Sequence, residues 1–408
     1  MITEYNPLHP GHLRLVETIR QRLGTDAAVI CCMSGDFVQR GDLAVVRRQA
    51  RAKAAVMSGV DLVLELPLPQ SVSSAEGFAE GGVGLLLATG LVDTLVFGSE
   101  RGDTAALQQV ASVLLCENFP AALRRELASG ISYPAARQRA VSRLAGAAIA
   151  DVLSRPNDLL GVEYCKSLLR RASAVRPLAV RREGTPHGLN QSRNAALPSS
   201  TAIRVLLRRG ERTAALSRMA PAMRECYLQE EAAGRAPMLY ETLERAILYR
   251  LRAMSREEFA AFDEGREGLS NRLYEASRDT VSVRETLERA KTKRYPMSRL
   301  RRMLLWAALG LTERERALRP AYLRPLAVSA TGRKLLARMR TRAALPVLTK
   351  AGDVDRLGPD AGALLRLEAR AADLYALACP VTAAATGGAV WKEPPWIADA
   401  ASFGKDVP

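Results

Sequence analysis

The stretch Asn6-Pro7-Leu8-His9-Pro10-Gly11-His12 decides how the rest of the chain is read. It follows a few residues of extended pattern and precedes Leu13, Val16, Ile19 and Leu23, whose spacing fits one face of a helix. A turn between a strand and a helix sets both imidazoles beside backbone N–H groups at the positive end of a helix dipole, where triphosphate oxygens are stabilised. Gly11 lets the backbone approach a nucleotide closely. Imidazoles placed there, charged or simply hydrogen-bonding, would stabilise a pentacoordinate α-phosphate and the departing pyrophosphate without a covalent step. The chain holds three histidines, and two of them fall in this motif, which argues against incidental loop residues. The pattern points to an ATP-using, adenylate-forming site.

Outward from the motif, Ala28–Met33, Leu62–Leu66 and Thr94–Phe97 are near-continuous apolar runs of the kind buried on both faces of a parallel sheet. Val46, Ala50, Ala54 and Met57 again mark one face of a helix between two of them. The predicted fold class is α/β, a Rossmann-like doubly wound parallel sheet that binds ligands beyond the carboxyl ends of its strands. Met1 to Glu4 leave room for only a short first strand, unless the recorded start falls inside it. Residues from Thr104 to Arg171 read as mostly helical, with breaks at Gly130–Pro134 and at Arg155-Pro156-Asn157. Pro177–Arg181 reads as a further strand, and Glu183–Ser200 as a long polar loop or a domain boundary. Ser199–Gly310 is expected to be all helical and the remainder a smaller basic α+β tail. This gives three expected units: 1–198, 199–310 and 311–408.

Lys and Arg number 59 against 43 Asp and Glu in 408 residues, a formal charge of +16. Such a balance favours a polyanionic partner, with nucleic acid the first candidate. Six cysteines are scattered with no C-x-x-C pair and almost no histidine near them, so neither a metal site nor a disulfide framework is indicated. No apolar window approaches a membrane span and the N-terminus lacks a targeting pattern, so a cytoplasmic protein is expected.

A second constellation, Ser199-Ser200-Thr201-Ala202-Ile203-Arg204, opens a predicted helix. Its hydroxyls are good helix caps, and they can equally join a guanidinium one turn later in holding β and γ phosphates. An early H-x-G-H followed by S-S-T-x-x-R is similar to the HxGH superfamily of nucleotidyltransferases and class I synthetases. The strings TEYNPLHPGH, SGDFVQRGD, GVDLVLELP, FGSE, PNDLLGVEY, SSTAIR, EGLSNRLYEAS and TKRYPMSRLRRMLLWAALG, collinear from residue 2 to about 310, resemble the bacterial tRNA(Met) cytidine acetate ligase family. The resemblance implies ATP-dependent activation of acetate to acetyl-adenylate, then acetylation of N4 of the wobble cytidine of elongator tRNA(Met). Magnesium is the default companion of the triphosphate. No membrane and no protein partner are implied. The alternative is a small-molecule adenylyltransferase of the same superfamily, which would need no basic helical half.

Carried over to this chain, the resemblance implies catalytic roles for His9, His12, Ser200, Thr201 and Arg204. It implies ATP contacts along Ile2, Thr3, Glu4, Tyr5, Asn6, Pro7, Leu8, His9, Pro10, Gly11, His12, Leu13, Arg14 and Leu15, and at Gly98, Asn157 and Arg182. A turn glycine, a helix cap and a solvated charge are the plain alternatives for these last three. Ser34–Arg51 concentrates polar residues after a strand and reads as a mobile loop contacting substrate, the plain alternative being an exposed loop leading into an amphipathic helix. This chain departs from the family pattern there with Asp36 and Arg48, and elsewhere with Pro10 and His187. For RNA, Lys291, Lys293, Arg294, Arg299, Arg301 and Arg302 supply bases without an acid, and Tyr295 could stack a nucleobase or cap a turn. Arg333, Lys334, Arg338, Arg340 and Arg342 form a second basic cluster on a predicted helix, either another RNA contact or a solvated face.

Overall fold

The computed structural model describes residues 1–182, 199–264, 268–293 and 295–399. In chain order the elements that place the site are β1 (Ile2–Thr3), α1 (Pro10–Leu23), β2 (Ile30–Ser34), β3 (Phe37–Val38), β4 (Asp42–Leu43), α2 (Arg48–Met57) and β5 (Leu62–Leu66). There follow α3 (Ala75–Ala88), β6 (Thr94–Ser99), α4 (Thr104–Leu115), α5 (Pro156–Arg170) and β7 (Arg176–Arg181). After the site helix α6 (Ser200–Arg208) and α7 (Pro221–Ala232) come α8 (Tyr240–Arg252), α9 (Leu269–Asp279), α10 (Val283–Ala290) and α11 (Met297–Leu309). The chain then adds β8 (Pro325–Val328), α12 (Ala330–Arg342), α13 (Pro359–Ala376) and β9 (Trp396–Ile397).

The main sheet has the order β1-β2-β5-β8-β9, with β1, β2 and β5 parallel and β8 antiparallel to β5. Successive residues of a strand point to opposite faces, and the cores divide accordingly. Cys32, Leu62, Leu64 and Leu66 pack on one side with residues of α3, α4 and α5. Cys31, Met33 and Val63 pack on the other with residues of α1, α2, α6 and α7. This is the expected α/β class, with helices covering both faces of a mostly parallel sheet.

Two strand details differ from the sequence reading. β6 pairs with β7 as a separate two-stranded parallel sheet, since the two residues of β1 pair only with β2. Packing nevertheless runs across the gap: Leu95 and Phe97 share a core with Ile2, and Val96 shares the other with Met1 and Tyr5. The second difference is that residues from the basic C-terminal segment enter the main sheet, as β8 and β9.

Helices α8 to α11 close around Trp306, Leu300, Leu273 and Phe259 in a third core that also takes in Phe37 and Leu43 of the β3–β4 hairpin. A buried chain of charge joins the C-terminal segment to the first half. Arg48 pairs with Asp36 and lies 3.4 Å from Glu65, while Arg324 lies 3.2 Å from Glu65 and 3.7 Å from Glu368. The Tyr322 hydroxyl donates to Glu368 at 2.8 Å. Three carboxylates face two guanidiniums here. Burial and the neighbouring Glu65 push the Glu368 carboxyl up to about 7, against the opposing pull of Arg324 and Tyr322.

Candidate functional site

His9 occupies the N-cap of α1, and the two histidines cap the helix reciprocally. Gly11 N–H donates to His9 Nδ1 at 3.1 Å, and His9 N–H donates to His12 Nδ1 at 3.2 Å. The ring centroids lie 3.9 Å apart, and Tyr5 meets His12 edge-on at 5.0 Å. With Nδ1 accepting in both rings, each carries its hydrogen on Nε2. Desolvation, His9 and Arg182 together hold the His12 imidazole well below its usual range, so it is a neutral donor.

This changes the roles read from the sequence. The first backbone N–H groups of α1 are occupied by the motif itself, because His12 N–H also donates to the His9 carbonyl at 2.8 Å. What the motif can offer an anion is the Nε2 edge of the imidazoles more than a cradle of free amides. Gly11 has a local reason too: a Cβ there would stand 2.9 Å from His9 Cε1.

The side chains of the flanking run face mainly inward. Ile2, Tyr5 and Leu8 are buried in the cores, and Leu13 and Leu15 pack against one of them. Buried Asn6 is tied to the chain at β4, donating to the Leu43 carbonyl at 3.1 Å and accepting from Val45 N–H at 2.8 Å. Glu4 accepts from Gln39 N–H at 2.8 Å, Thr3 Oγ1 lies 2.9 Å from Cys31 Sγ, and Pro10 takes the first position of α1. Arg14 is exposed on the outer face of α1. Contacts from Ile2, Tyr5, Asn6 and Leu8 to a nucleotide would therefore run through backbone atoms.

The second motif lands on the first. Ser199 caps α6 by accepting from Ala202 N–H, which leaves Ser200 to donate to the Pro7 carbonyl at 3.0 Å. Arg204 Nη1 donates to the Asn6 carbonyl at 2.7 Å and Nη2 lies 3.3 Å from Thr201 Oγ1. Among the described residues the buried Nε of Arg204 has no partner.

Gly98, Asn157 and Arg182 also come together. Arg182 Nη1 lies 3.3 Å from Asn157 Oδ1, and its side chain passes Gly98 so closely that a Cβ there would be 3.2 Å from Arg182 Cγ. Two residues that the sequence reading missed organise this cluster. Glu100 accepts from Asn157 Nδ2 at 2.6 Å, from Asn157 N–H at 3.1 Å and from Asp158 N–H at 2.8 Å. Burial works against the ionised Glu100, but these donors outweigh it and hold the carboxyl below its usual range. Buried Asp158 accepts from Ser99 Oγ and from Glu100 N–H. The signal was present in the polar residues next to Gly98 and Asn157 within FGSE and PND.

Ser34–Arg51 is not the exposed substrate loop expected. The two departures from the family pattern pair with each other, Arg48 with Asp36, in the buried charge chain. Arg51 is fully buried and donates to the carbonyls of Val46 (2.8 Å), Ser34 (3.1 Å), Glu4 and Gly35. A guanidinium has enough donors to hold the carboxyl ends of β1 and β2 at once, and this one does so. Arg47 is held by Glu230 and Glu393, each at 2.6 Å.

The expected RNA patch is split. Lys291, Lys293 and Arg301 are exposed, whereas Tyr295 is buried in the helical core and Arg302 is buried against the β3–β4 hairpin. Burial lowers the pKa of Arg302. Arg299 lies over the Tyr295 ring at 5.2 Å and donates to the Glu264 carbonyl. Tyr295 therefore cannot stack a base, since its ring serves the fold. Arg294 and His187 lie outside the described residues. Among the described residues no cluster of His, Cys, Asp and Glu could hold a metal ion, and no helix is long and apolar enough to cross a membrane.

Comparison with known proteins gives concordant results. The model of the HIGH Nucleotidyl Transferase family matches residues 1–388. The tRNA(Met) cytidine acetate ligase of Acetivibrio thermocellus is 34% identical over 391 residues, covering 92% of this chain and 94% of that protein. The enzyme of the same name from Halothermothrix orenii is 35% identical, covering 86% of each. The apo crystal structure of Thermotoga maritima TmcAL, 32% identical, superposes with a TM-score of 0.92 over 97% of this chain and 98% of that one. The same protein bound with alpha-thio ATP superposes with a TM-score of 0.89.

Proposed function

The chain belongs to the tRNA(Met) cytidine acetate ligase family of HIGH nucleotidyl transferases, and from that premise we propose that it makes N4-acetylcytidine at the wobble position of elongator tRNA(Met). An acetate oxygen attacks the α-phosphorus of ATP and pyrophosphate leaves. The cytidine N4 then attacks the acetyl carbonyl, AMP departs and the amine loses a proton. The observation that carries this reading is the docking of Ser200 and Arg204 on the carbonyls of Pro7 and Asn6, which puts both phosphate motifs on one loop.

Within that reading, His9 and the neutral His12 direct Nε2–H donors at oxygens whose charge grows as the α-phosphate is attacked. Arg204 positions the loop, with Thr201 beside it, and adds its positive charge to the phosphate side of the site. Gly98, Asn157 and Arg182 receive the nucleoside end, with Glu100 fixing the Asn157 amide. A Mg2+ accompanying ATP would be held mainly by triphosphate oxygens and water and would neutralise charge on the leaving pyrophosphate. Residues 1–198 serve the nucleotide together with the S-S-T-x-x-R element that opens 199–310, while the rest of 199–310 and the basic segment 311–408 serve the RNA. A reduced cytoplasm, where tRNA is found, suits the six unpaired cysteines.

The test incubates the protein with ATP, labelled acetate and total tRNA, then digests the RNA. Acetylated cytidine formed only with ATP is the expected result. Transfer of AMP to a small metabolite with no label in tRNA would favour a small-molecule adenylyltransferase instead.

A further inference from the structure

A dense unneutralised positive charge lies on α12. Its 13 residues contain no acid, and Arg333, Lys334, Arg338, Arg340 and Arg342 are all exposed. The exposed positions between them, Ala337 and Thr341, are neutral, as is Thr331 before them. Among the described residues none of the five stands within ion-pair distance of a carboxylate. Exposed arginines elsewhere do: Arg212 is 2.6 Å from Glu231, Arg256 is 3.1 Å from Glu275, and Arg284 is 2.8 Å from Glu288.

The helix is also rigidly placed. Ser329 caps it by accepting from Gly332 N–H at 3.0 Å while donating to Asp61 Oδ1 at 2.9 Å. Gly332 passes so close that a Cβ would fall 2.0 Å from the Asp61 carbonyl oxygen. At the far end Ala344 N–H donates to the Ala88 carbonyl at 2.8 Å. Leu335 and Met339 face the core, Arg333, Lys334, Arg338 and Arg340 spread around the rest of the helix, and Arg342 stands at its C-terminal end beside Gly90. Lys334, Arg338 and Arg342 follow one another at four-residue steps, about 6 Å apart along the axis.

Its location separates this face from the nucleotide. β8 runs antiparallel to β5, with Val328 opposite Leu62, so α12 starts at the edge of the sheet where β5 begins. The H-x-G-H loop lies at the other edge, about 17 Å away by the rise of a five-residue strand. ATP bound at the loop would not span that distance, but a folded RNA with its reacting base at the loop can.

We propose that α12 is a docking face for the phosphate backbone of a base-paired RNA stem, remote from the reacting base. The inference rests on the proposed function for the identity of the RNA. An ordered line of cations with no acid suits phosphates at regular spacing, and no aromatic side chain on the helix offers a platform for unpaired bases.

The test compares the wild type with a Lys334→Gln, Arg338→Gln, Arg342→Gln variant, all exposed positions, with circular dichroism to verify the fold. Binding of tRNA is measured across a salt series, with steady-state acetylation and acetate-dependent pyrophosphate exchange measured alongside. The slope of log affinity against log salt should flatten by about 2 to 3, and the tRNA KM should rise by about tenfold to a hundredfold. The kcat at saturating tRNA, the exchange rate and binding of an unpaired anticodon-loop oligonucleotide should be unchanged. An unchanged slope and KM for tRNA, or an equal loss on the loop oligonucleotide, would overturn the proposal. A wild type that binds tRNA without acetylating it would count against the catalytic reading, while the slopes would still decide the role of α12.

Discussion

Arg204 Nη1 donates to the carbonyl oxygen of Asn6 at 2.7 Å, joining two motifs 198 residues apart in the chain. With the Ser200 bond to Pro7, it makes the start of α6 a support for the H-x-G-H loop. The arginine is partly exposed and directs two of its nitrogens at this loop and at Thr201.

Arg204→Lys therefore retains charge but loses the fork that reaches Asn6 and Thr201 together. Acetate-dependent pyrophosphate exchange should fall by about a hundredfold or more, the scale of losing one preorganised donor in a polar transition state. tRNA affinity should change by less than about threefold, since the role proposed for this arginine is in the ATP site. Exchange at the wild-type rate would remove Arg204 from the adenylation machinery.

Gly11→Ala tests whether the glycine serves the His9 ring. A Cβ at 2.9 Å from Cε1 and 3.1 Å from Nδ1 must displace the imidazole. The overpacking costs about 1–3 kcal/mol, a fall of a few degrees in Tm. Adenylation should fall much further, by more than tenfold, because the ring that moves is a proposed donor. A variant with normal exchange kinetics would show that the His9 position is not critical.

Glu368→Gln addresses the buried charge chain through pH. The folded carboxyl, at about 7, lies above its ordinary value, so its proton-linked stability is complete at low pH and is lost as pH rises toward 7. Gln keeps the group neutral throughout. In urea unfolding, the advantage of the Gln variant should grow between pH 5 and pH 7 and then level off, reaching on the order of 3 kcal/mol. A difference independent of pH would mean that Glu368 is ionised throughout this range.

Tyr295→Ala separates core from RNA contact. The ring is buried with Leu300, Met303 and Phe262 in the helical core, so truncation should cost about 3–5 kcal/mol in chemical denaturation. A variant that keeps wild-type stability yet binds tRNA poorly would restore the stacking role expected from the sequence.

Much of the α/β half was legible because burial on both faces of a parallel strand leaves continuous apolar runs, as at Leu62–Leu66, and because few residue types suit the turn at His9–His12. Long-range pairings were not legible. Nothing in the local pattern of Pro325–Val328 says that it pairs with β5, and nothing near Arg51 shows that the carbonyls of Glu4, Ser34 and Gly35 surround it. Ser34–Arg51 misled for the same reason. A run of charged residues looks solvated until its partners are known, and Glu65, Arg324 and Glu368 come from elsewhere in the chain. Tyr295 misled through its basic neighbours, although its own ring turns inward.

We propose that His9, the neutral His12 and the docked S-S-T-x-x-R helix adenylate acetate before any tRNA is present. The most direct measurement is exchange of labelled pyrophosphate into ATP, with and without acetate, in the absence of tRNA, for the wild type and His12→Ala. Exchange should require acetate in the wild type and fall by at least about a hundredfold in the variant, with tRNA affinity retained. Exchange that ignores acetate, or a His12→Ala protein that exchanges as the wild type does, would contradict it.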